Sequence, residues 1–244
     1  MPRRALAVAA LLVVALALPA LAQRNRGWGW GYATAHPYDG TFTIARLWYA
    51  DYGGWAYDWP DMEYNLGQIV DAVTAIRPNP EGGNVFRMDD PDLLKFPIAY
   101  LSEPGYWYPS DAEALGLRTY LAKGGFLIVD DFHYDNEWAV FERAMRRVLP
   151  NARIDRLDQA HPIFNTFFQI TSLAIPYPGT TDLIGEFYGI HEENDPGKRL
   201  SVVINYNMDI GDYMEWSATG RYVVSPTNEA YKFALNYIVY GLTR

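Results

Sequence analysis

The chain has 244 residues, no cysteine and a formal net charge of −9. An acidic chain is a poor partner for nucleic acid or anionic membrane surfaces, because both require clustered Lys and Arg. Without cysteine the protein can form no disulfide, and it has neither a thiol nucleophile nor thiolate metal ligands.

The first 22 residues contain the three parts of a secretory signal peptide. Arg3 and Arg4 give a basic start, residues 5–18 are only Ala, Leu and Val, and residues 20–22 form a small-x-small cleavage site. The apolar run is too short to cross a bilayer comfortably. We therefore predict a periplasmic or secreted protein with no stable membrane span after cleavage. The alternative is an uncleaved anchor.

Residues 23–40 are rich in Gly and aromatic residues and lack periodicity, so they are interpreted as an extended N-terminal arm. Residues 41–244 are predicted to form a single α/β domain, because no linker or internal repeat divides them. Apolar strands alternate there with amphipathic helices, which indicates a mostly parallel sheet covered on both faces. In chain order the predicted elements are a strand (41–50), a helix from Asp61, strands (85–88 and 96–101), a helix capped by Ser110, a strand (126–129), a helix ending at Pro150, two strands (182–190 and 200–206) and a helix from Ser225.

The apolar strand at residues 126–129 leads directly into Asp130 and Asp131. Ligands of open parallel sheets bind outside the carboxyl ends of the strands, so these two acids are candidate catalytic residues. Glu103 follows the strand at residues 96–101 in the same way and is a candidate ligand-binding residue.

Asp131, His133 and Asp135 alternate along the chain. If the chain stays extended, all three side chains point to one side and can hold a divalent metal or perform acid–base chemistry. The alternative is that Asp135 or Asn136 caps the following helix. No other cofactor is indicated.

Four further residues complete the candidate set. His161, which precedes Pro162 in a predicted loop, is a candidate acid–base residue or a surface histidine. Glu186 lies in a predicted strand and either projects into a pocket or faces solvent. Asp58 and Trp59 are candidate ligand-binding residues in a loop. His36 and His191 are interpreted as surface residues.

Aromatic residues make up 16% of the chain, with 19 Tyr and 8 Trp. Such residues stack on sugars, but they are also common in strands and interfaces. The motifs GxGxxG, HExxH and GxSxG and the P-loop are absent from the sequence.

Five segments together resemble the bacterial family known as domain of unknown function 4159: IARLWYADY, Asp58-Trp59, FPIAYL, GGFLIVDD and HPIF. The resemblance extends from Phe42 to the C-terminus. It implies membership of the class I glutamine amidotransferase-like superfamily, and with it a flavodoxin-like three-layer sandwich. Where true amidotransferases carry their cysteine nucleophile, this chain has Asp130-Asp131, so glutamine hydrolysis by that mechanism is impossible. Similarity to a related sugar-metabolism branch implies a carbohydrate ligand.

Three functional hypotheses remain open. The first is an exported binding or accessory domain that holds a polar small molecule or saccharide near Glu103, Asp131, His133 and His161. The second is a hydrolase that uses Asp130 or Asp131 with His133 or His161, with or without a metal. The third is a component of a cell-envelope complex that binds a protein partner through residues 27–38.

Overall fold

The computed structural model describes residues 37–50, 53–180 and 182–244. The signal peptide prediction and nearly all of the predicted arm therefore fall outside the described residues. The described residues belong to one structural unit. Its strands are β1 (Ile44–Trp48), β2 (Asn84–Arg87), β3 (Ile98–Ser102), β4 (Phe126–Asp130), β5 (Asp155–Arg156), β6 (Glu186–His191) and β7 (Leu200–Tyr206), and its helices are α1 (Asp61–Val73), α2 (Asp111–Ala122), α3 (Tyr134–Val148), α4 (Ile210–Glu215) and α5 (Val224–Thr243).

The seven strands form one sheet in the order β2-β1-β3-β4-β7-β6-β5. The five strands from β2 to β7 are parallel, and β6 and β5 extend the sheet in antiparallel pairings. The chain leaves β1 outward to β2 and returns on the other side to β3. This reversal is a topological switch point, where α/β proteins bind ligands.

Each face of the sheet carries its own core. One cluster joins alternate residues of the central strands, such as Ile98 and Ile128, to α1, α4 and α5. The other cluster joins the intervening residues, such as Leu127 and Val129, to α2 and α3. Helices on both faces make a three-layer α/β sandwich. The sequence predicts this architecture, because strands that are buried on both faces are apolar throughout.

Local signals account for several element boundaries. Ser110 and Glu113 form the reciprocal capping box at the start of α2, with the Glu113 amide 3.2 Å from Ser110 Oγ and the Ser110 amide 2.9 Å from Glu113 Oε2. In contrast, β5 and α4 were not anticipated. β5 is only two residues long, and α4 is a short helix of six residues that follows β7 after a gap of only three residues. Among the described residues, no helix is long and apolar enough to cross a membrane.

Candidate functional site

The carboxyl ends of three adjacent strands share an uncommon backbone conformation. The residues that follow β3, β4 and β7 are Glu103, Asp131 and Asn207, with φ angles of 52°, 62° and 53°. Non-glycine residues seldom adopt positive φ, and such residues concentrate at functional sites. The turns place polar side chains side by side along one edge of the sheet, which we call the carboxyl edge.

Asp130, the last residue of β4, is fully buried and fully hydrogen-bonded. Its Oδ2 accepts from the Tyr100 hydroxyl at 2.5 Å and from the amides of Ile210 and Gly211 at 2.9 and 3.0 Å. Its Oδ1 accepts from Asn205 Nδ2 at 2.8 Å. Burial raises the pKa of Asp130 to about 6, while these hydrogen bonds oppose the rise. Asp130 therefore ties β3, β4, β7 and α4 together, and its oxygens are already occupied.

A buried arginine lies on the same face of the sheet. Arg46 of β1 has no exposed surface, and its Nε is 2.6 Å from Glu63 Oε1. Its guanidinium stacks 4.5 Å from the Tyr100 ring centroid, and its Nη1 is 3.9 Å from Asp58 Oδ2. Glu63 is the close partner, so Arg46 only partly balances the charge of Asp58.

Three buried aspartates converge beside this network. One carboxylate oxygen of each of Asp58, Asp131 and Asp209 lies within 4.8 Å of the other two, and the residues are 2%, 5% and 4% exposed. They follow β1, β4 and β7, so distant parts of the chain build this aspartate cluster. Burial is the main cause that raises the pKa of all three well above the usual range; the neighbouring carboxylates raise it further, and Arg46 opposes the rise at Asp58.

Two hydrogen bonds fix the orientation of this cluster. Tyr177 donates its hydroxyl to Asp131 Oδ1 at 3.1 Å. Asp209 is the N-cap of α4, and its Oδ1 accepts from the Asp212 amide at 2.7 Å. The carboxylate groups are therefore held in place by a tyrosine and by the start of α4.

Beside the cluster lies a second pair of acids, Glu103 and Glu137. Burial, and then the charge of Glu137, raises the pKa of Glu103 to about 7. Glu137 accepts from the His133 amide at 2.7 Å and from the Tyr106 hydroxyl at 3.3 Å. Gly105 is required here, because a Cβ at that position would lie 2.6 Å from Glu137 Cβ.

The structure does not bring together the side chains of Asp131, His133 and Asp135. The extended conformation that this set requires ends at Asp131, whose φ is positive, and α3 begins at Tyr134. Asp135 is exposed in the first turn of α3, while His133 lies beside Glu137, with 3.5 Å between His133 Nδ1 and Glu137 Oε2. Asp131 instead joins Asp58 and Asp209.

His161 lies at the opposite edge of the sheet, so no arrangement combines it with Asp131. Its Nε2 is 3.2 Å from Nε2 of the buried His191, which ends β6 beside the start of β7. His161 Nδ1 accepts from the Ile163 amide at 3.3 Å, which assigns the His161 proton to Nε2 and makes His191 the acceptor. His191 is thus buried and paired, and its interpretation as a surface residue is wrong.

We expect this histidine pair to weaken the protein at acidic pH. Burial, and then His191, lowers the pKa of His161 to about 4 from 6.5. The unfolded chain therefore takes up a proton as pH falls below 6.5, while the folded protein does not, and stability declines. Between pH 7 and pH 5, the free energy of unfolding should therefore fall by about 1 kcal/mol less in His161→Asn than in the unmodified protein. The figure is this small because the His161 ring is partly solvent-exposed. Urea unfolding of both proteins at both pH values measures it; an equal pH dependence would contradict the assignment.

The other predicted residues have structural contacts. Glu186 begins β6 at the carboxyl edge, where its Oε2 is 3.0 Å from the Tyr188 hydroxyl and 3.3 Å from Arg156 Nη2. Trp59 is half-buried, and its ring lies against Gly83. Of the four residues predicted to bind a ligand, Asp58 lies in the aspartate cluster and Glu103 lies next to it.

Several site residues are absent from the predicted set, including Asp209, Tyr177 and Arg46. Asp209 could have been predicted, because it follows an apolar strand as Asp130 and Asp131 do. A charged arginine inside the apolar strand IARLW was a second signal. Nothing local distinguishes Tyr177, which reaches Asp131 from a loop.

A mostly parallel sheet between helical layers, with polar side chains gathered at its carboxyl edge, defines a doubly wound α/β domain. Residues 43–242 match the family described as domain of unknown function (DUF4159), and the chain belongs to that family. This match confirms the resemblance to that family, which the five sequence segments predicted. The search of curated proteins found no match to the chain.

Proposed function

We propose that this domain binds a polar small molecule, a saccharide in the first instance, at the carboxyl edge of its sheet. The observation that carries the proposal is a set of exposed tyrosines beside the acids. Tyr57, Tyr106 and Tyr134 are 57%, 38% and 55% exposed, and we call them the tyrosine rim. Exposed aromatic faces suit the apolar faces of sugar rings, and adjacent carboxylates suit hydroxyl groups.

Contacts connect the rim to the acids. The Tyr106 hydroxyl donates a hydrogen bond to Glu137. Burial is the main cause of the raised pKa of Tyr106, and the nearby Tyr57 raises it slightly further. The ring of Tyr134 packs on His133 at 4.5 Å between centroids, and His133 in turn packs on Tyr177 at 5.2 Å. A ligand on the rim would therefore lie next to the partly exposed side chains of His133 and Glu103.

Loss of rim tyrosines should weaken saccharide binding. We expect Tyr57→Ala and Tyr134→Ala each to raise Kd by about 2- to 10-fold, the equivalent of about 0.5–1.5 kcal/mol of aromatic contact. Isothermal titration with trehalose, maltose and cellobiose measures this. Tyr38→Ala is the matched control, because Tyr38 is 50% exposed but packs on Phe96 before β3, at the other end of the sheet. Absence of binding by the unmodified protein would refute the saccharide proposal.

Acid–base hydrolysis is the second candidate, and the raised pKa of Glu103 beside Glu137 favours it. A carboxyl group that titrates near neutral pH suits a general acid or base. Glu103→Gln separates the two: a hydrolase would lose turnover by about 10²–10⁴-fold, whereas a binding domain would show no turnover in either form. Export through the predicted signal peptide is part of the same proposal and would place the site in the periplasm or outside the cell.

A further inference from the structure

The aspartate cluster concentrates negative charge in a buried position. Asp58, Asp131 and Asp209 are each at most 5% exposed, and one oxygen of each lies within 4.8 Å of the other two. Buried charges in proteins are paired with opposite charges or coordinate metals. Among the described residues, the cation that contacts the cluster is Arg46, and its Nε donates a hydrogen bond to Glu63 Oε1 at 2.6 Å.

One carboxylate oxygen of Asp58 independently indicates a missing partner. Asp58 Oδ2 is buried and accepts no hydrogen bond from any described residue, and its only ion pair is the long 3.9 Å contact with Arg46. Most buried polar atoms do have a hydrogen-bond partner. The backbone beside it also leaves room for the carboxylate, since Gly211 lies where a Cβ would approach Asp58 Oδ2 to 2.4 Å.

The chemistry of the converging groups selects the kind of partner. All three are carboxylates, and both Asp131 and Asp209 have one oxygen engaged in a hydrogen bond that sets the orientation of the other. Carboxylate oxygens are preferred by hard cations such as Ca²⁺, Mg²⁺ and Mn²⁺, whereas Zn²⁺ favours nitrogen and sulfur. A separation of at most 4.8 Å fits oxygens that share one Ca²⁺, whose opposite ligands are about 4.6–5.2 Å apart.

A second grouping shares one member. Asp58 also lies near Asp212 and Glu215, but both of these are only partly buried. Asp212 Oδ2 already accepts from the Tyr222 hydroxyl at 2.5 Å. The more deeply buried set is therefore the better candidate.

We propose that Asp58, Asp131 and Asp209 form a binding site for one hard divalent cation. The cation would be the partner that Asp58 Oδ2 lacks, and it would link the loops that follow β1, β4 and β7. This goes beyond the proposed function, because an ion can occupy the three carboxylates whether or not a saccharide binds at the tyrosine rim. The three carboxylates are at most 5% exposed, so an ion can reach them more easily than an organic molecule.

The test uses the full chain after treatment with EDTA and dialysis. CaCl₂, MgCl₂, MnCl₂ and ZnCl₂ are titrated separately, with heat of binding and melting temperature as readouts. We expect one of the first three to bind with 1:1 stoichiometry. At a hundred times Kd it should raise the ratio of folded to unfolded protein about 100-fold, and melting temperature by several degrees. Absence of binding for all three hard cations, or binding of Zn²⁺ alone, would overturn the proposal.

Variants locate the site. Asp58→Asn and Asp131→Asn should each weaken binding of that cation at least 10-fold, while Asp135→Asn, an exposed change in α3, should leave it unchanged. Asp212→Asn tests the second grouping and should also leave binding unchanged. Melting in EDTA shows that each variant folds. Equal affinity in Asp131→Asn and the unmodified protein would overturn the proposal; saccharide titrations in EDTA report on the tyrosine rim separately.

Discussion

Asp130→Asn is expected to lower the free energy of unfolding by about 2–4 kcal/mol, because it leaves buried donors without acceptors. The two oxygens of Asp130 accept four hydrogen bonds, from Tyr100, Asn205, Ile210 and Gly211. An amide at this position must turn its NH₂ group toward at least one of those donors. The Tyr237 hydroxyl donates to Asn205 Oδ1 at 2.8 Å. If the Asn205 amide reversed to accept from the new NH₂ group, the Tyr237 hydroxyl proton would lose this acceptor. Urea unfolding measures the loss.

The neighbouring residue supplies a control of opposite sign. Asp131→Asn removes one negative charge from the aspartate cluster and keeps the acceptor for Tyr177. In EDTA we expect this variant to be at least as stable as the unmodified protein, because like charges no longer repel in a buried position. Equal destabilisation by the two substitutions would show that Asp130 has no special structural role.

Gly211→Ala is expected to destabilise the protein by about 2–3 kcal/mol and to weaken cation binding. An added Cβ would lie 2.4 Å from Asp58 Oδ2 and 2.9 Å from the Tyr100 hydroxyl. Asp58 must therefore move away from the cluster, or α4 must shift from Asp130. Urea unfolding and the cation titration measure the two effects separately.

Gly67→Ala in α1 is the matched control for this change. Its Cβ would meet only Pro78 Cβ at an ordinary 3.7 Å, and alanine in a helix interior gains about 0.5–1 kcal/mol over glycine. We expect this variant to be as stable as the unmodified protein or more so, with unchanged cation affinity. If Gly211→Ala had the same stability and cation affinity as Gly67→Ala, α4 could not pack closely against Asp58.

Local sequence patterns were sufficient to predict the fold class and one side of the site. Strands that are buried on both faces must be apolar throughout, so the run at residues 126–129 identified β4 and the position of Asp130 and Asp131 at its end. Capping chemistry is equally local, which is why the start of α2 at Ser110 was predictable. Family membership also followed from short segments in order.

Which acids meet, and which role each of them has, depends on contacts between distant parts of the chain. Asp58, Asp131 and Asp209 are brought together by strand order, which depends on long-range pairing that no local pattern encodes. A metal site built from Asp131, His133 and Asp135 requires an extended chain, and the positive φ at Asp131 interrupts it. The difference between Asp130 and Asp131 is likewise a matter of environment: one carboxylate meets four donors, and the other faces like charges in the cluster.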